Sequence, residues 1–238
     1  IAELGATGAV FPSDEQTRVW LEEQGRAEDY VELPTGVQGD FDEEEEIDLA
    51  ALVPLVAKPS SPGNVVRVEE VVGTKLAQVC IGSSVNSSYE DLALVGSVLR
   101  GRRISDQLVS STATPGSRQI LDQITRSGTY VDLLTAGVRM LEPACGPCVG
   151  MGQAPPSGSA SLRTFNRNFP GRSGTADDQV YLCSPAVAAA AMLTGVISDP
   201  RELPDVEIPA RPAARPEVVQ KHILEPAPAE EAAGIEIP

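Results

Sequence analysis

Two cysteines that stand three residues apart, Cys145 and Cys148, are the clearest candidates for chemistry in this sequence. Gly146 and Pro147 separate them, and a turn built from these residues cannot continue as regular helix. Such a turn allows both sulfur atoms to approach one point. Two converging thiols indicate a bound metal ion, an iron–sulfur cluster or a redox pair.

The residues around the pair discriminate among these three kinds of site. A thioredoxin-like redox pair requires a helix directly after its first cysteine, and the glycines and prolines between residues 150 and 156 are incompatible with one. A zinc ribbon requires a second close pair, whereas Cys80 and Cys183 are isolated. The pattern favours an iron–sulfur cluster with further ligands elsewhere, and inert buried thiols stay an alternative.

A second concentration of polar side chains follows the cysteines, between residues 163 and 172. Arg167 and Arg172 lie there in an irregular stretch, and arginine is suited to bidentate binding of carboxylates. The stretch is interpreted equally well as a clamp for a di- or tricarboxylate and as surface charge on a very acidic protein. The single histidine, His222, lies in the tail of the chain and is assigned no catalytic role.

Strands alternate with helices over much of the chain, which predicts an α/β layer architecture. Ligands in such sheets bind at the carboxyl ends of strands, so we expect the turn at residues 83–88 and the cysteine turn to share one cleft. A first helix is expected to begin after Ser13, as its N-cap, and to end before Gly25. The other predicted helices span residues 89–99, 117–127, 130–136 and 185–193, and the predicted strands span 65–68, 77–81, 107–111, 138–141 and 180–183.

Composition divides the chain into four parts, residues 1–48, 49–75, 76–204 and 205–238. The first contains an acidic run at residues 42–46, interpreted as a solvated loop rather than a cation site. The second is a connector rich in proline and serine, and the third is the compact unit. The fourth is rich in Pro, Ala and Glu, and we expect a poorly ordered interdomain linker.

The net charge of −16 disfavours DNA, RNA and anionic membrane surfaces as partners, because phosphate binding depends on Lys and Arg. No apolar run is long enough to cross a bilayer. Four unevenly spaced cysteines, without a signal-peptide pattern, predict a cytoplasmic protein. The chain starts without methionine, and we expect it to be a fragment of a longer protein.

Five motifs in the same order resemble the aconitase family. They span residues 2–7, 81–91, 144–153, 165–172 and 184–188. The resemblance implies a three-layer, aconitase-like iron–sulfur domain, which is the family's third, at residues 76–204. The end of the second domain precedes it, and the start of the linker to the fourth domain follows. The similarity is greatest to bacterial-type aconitate hydratases, which implies interconversion of citrate and isocitrate through cis-aconitate.

The resemblance also implies a 4Fe-4S cluster, with Cys145 and Cys148 as two of its three cysteine ligands. The family's remaining cysteine, in a serine-rich turn, corresponds to Ser84 here. A serine hydroxyl is a harder and far less acidic ligand than a thiol. Three outcomes stay open: Ser84 or another group completes the site, Cys80 or Cys183 is recruited, or the cluster is lost. A retained but perturbed cluster is favoured because the rest of the motif set is intact.

Five other residues receive roles from the same resemblance, all in the binding or conversion of a tricarboxylate. Asn166, Arg167 and Arg172 correspond to family residues around the cluster and the substrate carboxylates. Asn86 corresponds to an asparagine close to the cluster, and Glu3 corresponds to a catalytic acid near the bound water.

The family's other acid–base residues belong to its first and fourth domains. We therefore expect this chain alone to have no hydratase activity and to need those domains as partners. A 3-isopropylmalate or homoaconitate dehydratase is the alternative enzyme. A cluster-less binding or structural relative is an alternative of a different class, and RNA binding by such a relative is disfavoured by the net charge of −16.

Overall fold

Seven strands and five α-helices form the regular structure of residues 5–33, 41–82 and 85–215, which are the residues that the computed structural model describes. The strands are β1 (Leu55–Ala57), β2 (Val65–Arg67), β3 (Gln78–Ile81), β4 (Ser110–Ala113), β5 (Arg139–Met140), β6 (Ala160–Arg163) and β7 (Gln179–Cys183). The helices are α1 (Glu15–Glu23), α2 (Tyr89–Leu99), α3 (Arg118–Arg126), α4 (Thr129–Ala136) and α5 (Pro185–Thr194). The alternation confirms the predicted α/β class.

The strands form a sheet in the order β2-β1-β7-β6-β3-β4-β5. Strands β3 to β7 are parallel, whereas β1 pairs antiparallel with β7 and forms a hairpin with β2. Strand β3 lies inside the parallel part, where Gln78 is opposite Ser110 of β4 on one side and Ser161 of β6 on the other. The carboxyl ends of β3, β4, β5 and β6 therefore meet along one edge of the sheet.

One face of the sheet is apolar and packs against helices. Val79, Ile81 and Leu162 belong to the main hydrophobic core and are fully buried. Helix α2 packs against both α4 and α5 over this face. Gly96 permits the close approach of α2 to α4, because a Cβ there would lie 2.8 Å from Cγ2 of Thr129.

The other face of the sheet is polar around β3 and β6, and a small apolar cluster of Ala57, Val180 and Leu182 lies on it at β1 and β7. Gln78, Ser161 and Arg163 alternate along their strands with the core-facing residues, and all three are buried. Irregular segments near the cysteines cover them, since main-chain carbonyls of Pro147 and Gln153 accept hydrogen bonds from Arg163. The layer opposite the helices is therefore built from loops in the part of the chain that the structure describes.

The helix ends follow from local hydrogen bonding. Helix α2 begins at a capping box in which Ser88 accepts from the N–H of Asp91 and the Asp91 carboxylate accepts from the N–H of Ser88. The prediction that Ser13 caps α1 is wrong, because Asp14 is the N-cap and accepts from the N–H of Thr17. The Ser13 hydroxyl instead donates to the carbonyl of Val31.

Two strands were not predicted, and the bounds of a third were predicted wrongly. Strand β4 spans Ser110–Ala113 rather than residues 107–111, because Leu108 closes a turn onto Ser105 before the strand begins. Strands β1 and β6 were missed. Strand β6 has the sequence Ala-Ser-Leu-Arg, which lacks the β-branched and aromatic residues that mark strands.

The described part of the C-terminal segment, residues 205–215, lies against the helix layer. The Tyr89 hydroxyl donates to the carbonyls of Pro209 and Ala210, and the Gln123 amide donates to the carbonyl of Pro212. Residues 41–50, which contain the acidic run, are exposed. Among the helices of the described residues, none has the length and apolar character needed to span a membrane.

Candidate functional site

A cleft of about 440 Å³ opens at the carboxyl edge of the parallel strands. Its walls come from the turns that follow β4, β5 and β6, which is where ligands bind in open α/β sheets. The lining residues are Thr114, Pro115, Gly116, Pro143, Ala144, Cys145, Gly146, Pro147, Cys148, Phe165, Asn166, Arg167 and Arg172. The turn after β5 and the polar stretch after β6 thus share this cleft.

Both cysteines of the pair lie on the cleft with their sulfur atoms 3.4 Å apart. A disulfide bond is about 2.05 Å long, so these are free thiols. Cys145 is exposed and Cys148 is half-buried. The neighbouring Cys148 raises the pKa of the Cys145 thiol, and the positive charge of Arg172 acts in the opposite direction.

The turn that carries the thiols is fixed by Gly150. Its φ of +81° lies in the left-handed region that favours glycine. A Cβ at this position would lie 2.0 Å from the carbonyl oxygen of Ser173. The cysteine turn can therefore reach its position beside the segment at residue 173 only with glycine here.

Asn166, Arg167 and Arg172 all lie on the cleft with the cysteines. The Nε of Arg172 is buried and has no hydrogen-bond acceptor among the described residues. A buried donor without a partner is costly. A carboxylate oxygen of a ligand in the cleft would satisfy it and would pair with its charge.

Asn86 does not line the cleft but lies beside it. Its side-chain amide donates a hydrogen bond of 2.7 Å to the carbonyl of Thr164, and the Thr164 hydroxyl accepts from the N–H of Gly82 at 3.0 Å. These bonds join the turn after β3 to the turn after β6. Two other predicted site residues, Ser84 and Glu3, lie outside the residues that the structure describes.

The remaining cysteines are away from the cleft lining. Cys80 is fully buried in β3, and burial raises the pKa of its thiol. Cys183 packs against the hydrophobic core, and burial raises its pKa strongly. Within residues 5–33, 41–82 and 85–215, no group of three or more His, Cys, Asp or Glu side chains is arranged to hold a metal ion. The donor set there is two soft thiols, which suit iron–sulfur ligation and require a further ligand.

The sequence analysis assigned no role to Arg163, which is the largest fully buried side chain among the described residues. It contacts the cysteine turn and also lies over the ring of Phe165, 5.5 Å from the ring centroid. The sequence did contain a signal for a buried arginine, because Arg163 follows Leu162 at the end of strand β6. Recognising it required the strand to be recognised first.

Comparison with known proteins agrees with this arrangement of cleft and sheet. The model of the aconitase family (aconitate hydratase) matches residues 1–195. The chain belongs to the aconitase family. It is 39% identical over 201 residues to the 3-isopropylmalate dehydratase large subunit 2 of Archaeoglobus fulgidus, covering 84% of this chain and 48% of the relative.

Two further relatives match this chain over a similar length. The 3-isopropylmalate dehydratase large subunit 1 of Methanopyrus kandleri is 40% identical over 201 residues, covering 84% of this chain and 47% of the relative. The homoaconitase large subunit of Thermus thermophilus is 40% identical over 211 residues, covering 87% of this chain and 48% of the relative. The chain spans about half the length of the curated relatives that it matches.

These relatives correct the sequence-based expectation of function. The expectation was a bacterial-type aconitate hydratase that interconverts citrate and isocitrate. The relatives are instead 3-isopropylmalate dehydratase and homoaconitase large subunits. The motifs identified the family correctly but did not distinguish its members.

Proposed function

We propose that this chain is the thiol-bearing part of the large subunit of a hydro-lyase of the 3-isopropylmalate or homoaconitate dehydratase type. The observation that carries the proposal is that two free thiols share one cleft with Arg167 and Arg172. A reaction that removes water from a hydroxy acid needs both an electrophile for the hydroxyl and cations for the carboxylates. The names of the relatives supply the class of substrate.

Cys145 and Cys148 would hold a 4Fe-4S cluster, with Ser84 or another group as the third ligand. Such a cluster, when bound, supplies an open iron that acts as a Lewis acid on the substrate hydroxyl. Support comes from the donor chemistry, because thiolates are the usual ligands of iron–sulfur clusters. It also comes from the position of the thiols, which lie on the cleft rather than in the core.

The other residues would bind and orient the substrate. Arg172 offers a buried Nε without an acceptor among the described residues, and Arg167 lines the same cleft. Together they would bind the carboxylates of the substrate, and Asn166, which directly precedes Arg167, would orient it. Asn86 would hold the neighbouring turn, and Glu3 would act as an acid near the leaving water.

The complete activity would need partners. The relatives are named large subunits, so we propose a small subunit and the rest of the large subunit as partners that complete the cleft. Acid–base groups from those parts would move the protons, and this chain alone would be inactive. A cytoplasmic location fits the four free cysteines.

Two measurements test the proposal. The first is iron and sulfide analysis, with EPR spectra, of the anaerobically reconstituted chain beside the variants Ser84→Cys and Cys148→Ser. We expect a cluster in the parent chain, higher occupancy in Ser84→Cys, and none in Cys148→Ser. A cluster in Ser84→Cys alone would indicate a relative that has lost this chemistry, and no cluster in either would refute the cofactor assignment.

The second measurement is turnover by the complete protein with its small subunit. 3-Isopropylmalate, homoaconitate and citrate are assayed in parallel at equal concentration. We expect one of the first two to be converted with the highest kcat/KM. Preference for citrate, or no turnover in a protein that carries a full cluster, would refute the proposed substrate class.

A further inference from the structure

We propose that Arg163 is a positioning residue that holds the cysteine loop, defined as residues 145–153, against the sheet. The inference rests on the proposed function, because it takes the thiols of this loop to be cofactor ligands. Arg163 belongs to β6 and has no exposed surface. It does not line the cleft, so it acts through the loop rather than on a substrate.

A single guanidinium group bridges two carbonyls of the cysteine loop, one between the cysteines and one at the end of the loop. Nη1 of Arg163 donates to the carbonyl of Pro147 at 2.8 Å, and Nη2 donates to the carbonyl of Gln153 at 2.9 Å. Because the guanidinium is planar and rigid, it fixes the separation of these two carbonyls. Pro147 directly precedes Cys148, so its position also determines where that sulfur lies.

The guanidinium is itself held by polar side chains of the sheet. Nε donates to the hydroxyl of Ser161 at 2.9 Å, and Nη2 donates to Oε1 of Gln78 at 2.6 Å. The Ser161 hydroxyl also donates to Oε1 of Gln78 at 2.9 Å, so the three side chains form one buried network. The loop is therefore connected through Arg163 to two neighbouring parallel strands, β6 and β3.

The charge of Arg163 is unusual for its surroundings. All four of its acceptors are uncharged, and none of the ion pairs found among the described residues involves Arg163. The carboxylate that favours its charged form is that of the buried Asp178, which is not hydrogen-bonded to it. Burying an unpaired charge is costly, and such a charge is tolerated where an anion compensates it. Two thiolates that bind a metal group bring negative charge to the loop directly in front of Arg163. The buried cation thus fits a loop that becomes anionic when its cofactor binds.

Hydrogen exchange of the apo chain tests the mechanical part of the inference. The N–H groups of Gly150, Met151 and Gln153 are hydrogen-bonded within the loop and report on its opening. In Arg163→Met, we expect these amides to exchange about ten- to a hundredfold faster, since hydrogen bonds to a charged group are lost. Arg163→Lys keeps the charge, but a lysine cannot bridge both carbonyls, so we expect exchange about tenfold faster.

Two control variants separate positioning from general destabilisation. Arg103→Met makes the same change at an exposed arginine, and Leu162→Ala removes a fully buried side chain from the opposite face of β6. We expect neither to change exchange of the three loop amides by more than about twofold. Equal acceleration in Leu162→Ala and Arg163→Met would overturn the inference, because it would show only a loss of overall stability.

The reduction potential of the reconstituted cluster tests the electrostatic part. A nearby positive charge favours the reduced, more negative state, so Arg163→Met lowers the potential while Arg163→Lys leaves it close to the parent value. Identical potentials in all three proteins would refute this part. Absence of a cluster in the parent would count against the proposed function alone, since the exchange measurement requires no cofactor.

Discussion

Asn86 donates its side-chain amide to the carbonyl oxygen of Thr164 at 2.7 Å and thereby joins the turn after β3 to the turn after β6. Thr164 also bonds back to β3, because its N–H donates to the carbonyl of Cys80 at 3.1 Å. The two turns are therefore held as one unit beside the cleft. The predicted third ligand position, Ser84, stands two residues before Asn86 in the sequence and lies outside the described residues.

Replacing Asn86 with alanine removes this bond and leaves the Thr164 carbonyl without its side-chain donor. We expect the free energy of unfolding in urea to fall by ~1–2 kcal/mol. The matched control is Asn64→Ala, which removes an amide bond to the carbonyl of Pro59 in an exposed turn. We expect a loss below about 0.5 kcal/mol there. Equal losses in the two variants would contradict the bracing role of Asn86.

Gly150→Ala tests the close approach of the cysteine turn to Ser173. The new Cβ would overlap the Ser173 carbonyl oxygen, and φ is +81°. We expect loss of ~3 kcal/mol or more of stability, or a displaced turn. Gly152→Ala is the control, because its φ is +66° and no atom lies within 4 Å of the new Cβ. In that variant only backbone strain lowers the free energy of unfolding, by ~1 kcal/mol. Thermal and urea unfolding distinguish the two costs.

The thiols are expected to react at two different rates. Cys145 and Cys148 lie on an open cleft, whereas burial raises the pKa of Cys80 and Cys183 and shields their sulfurs. With a disulfide reagent under reducing-agent-free, anaerobic conditions, we expect two thiols to react quickly and two to react only when the chain unfolds. Cys80→Ser leaves the fast pair unchanged. Fast reaction of three or four thiols in the folded chain would show that the core opens.

Arg172→Lys tests carboxylate binding in the complete, active protein. The substitution keeps the charge but removes the Nε donor, which is buried and has no acceptor among the described residues. We expect KM to rise about ten- to a hundredfold, with a smaller change in kcat, if the bond is equally strong in the ground and transition states. Arg103→Lys, at an exposed position, serves as the matched control. An unchanged KM would remove Arg172 from the substrate site.

Helices with clear local signals were predictable from the sequence, and contacts between distant segments were not. Helix α2 spans the predicted residues because Ser88, Asp91 and its apolar spacing specify both its beginning and its buried faces. Strand β6 carries no such local signal, and it exists because it pairs with β3 and β7. In this strand Ser161 and Arg163 alternate with Leu162. Such a pattern predicts a solvent-exposed polar face, whereas loops cover that face here.

The candidate site shows the same division. The sequence predicted a cleft shared by the cysteine turn and the turn at residues 83–88, because both follow predicted strands. The cleft instead joins the cysteine turn to the arginines after β6, a strand that was not predicted. The bonds of Asn86 to Thr164 and of Arg163 to Pro147 were not predictable, because each depends on the register of non-consecutive strands. The correction from citrate to the substrates of the relatives has a related origin, since motif residues report on the common chemistry of a family.

The segments on the two faces of the sheet are held by different interactions, and this has a consequence for cofactor assembly. The helix layer is held by extensive apolar burial around Val79, Ile81 and Leu162, whereas the cysteine loop is held to the sheet by directed hydrogen bonds from Arg163. Segments with little buried apolar surface open at a lower free energy than the core around them. We therefore expect the cysteine loop to open and close again while the helix layer stays folded. If the proposed function holds, iron and sulfide would be inserted into an already folded domain, after synthesis, without unfolding it.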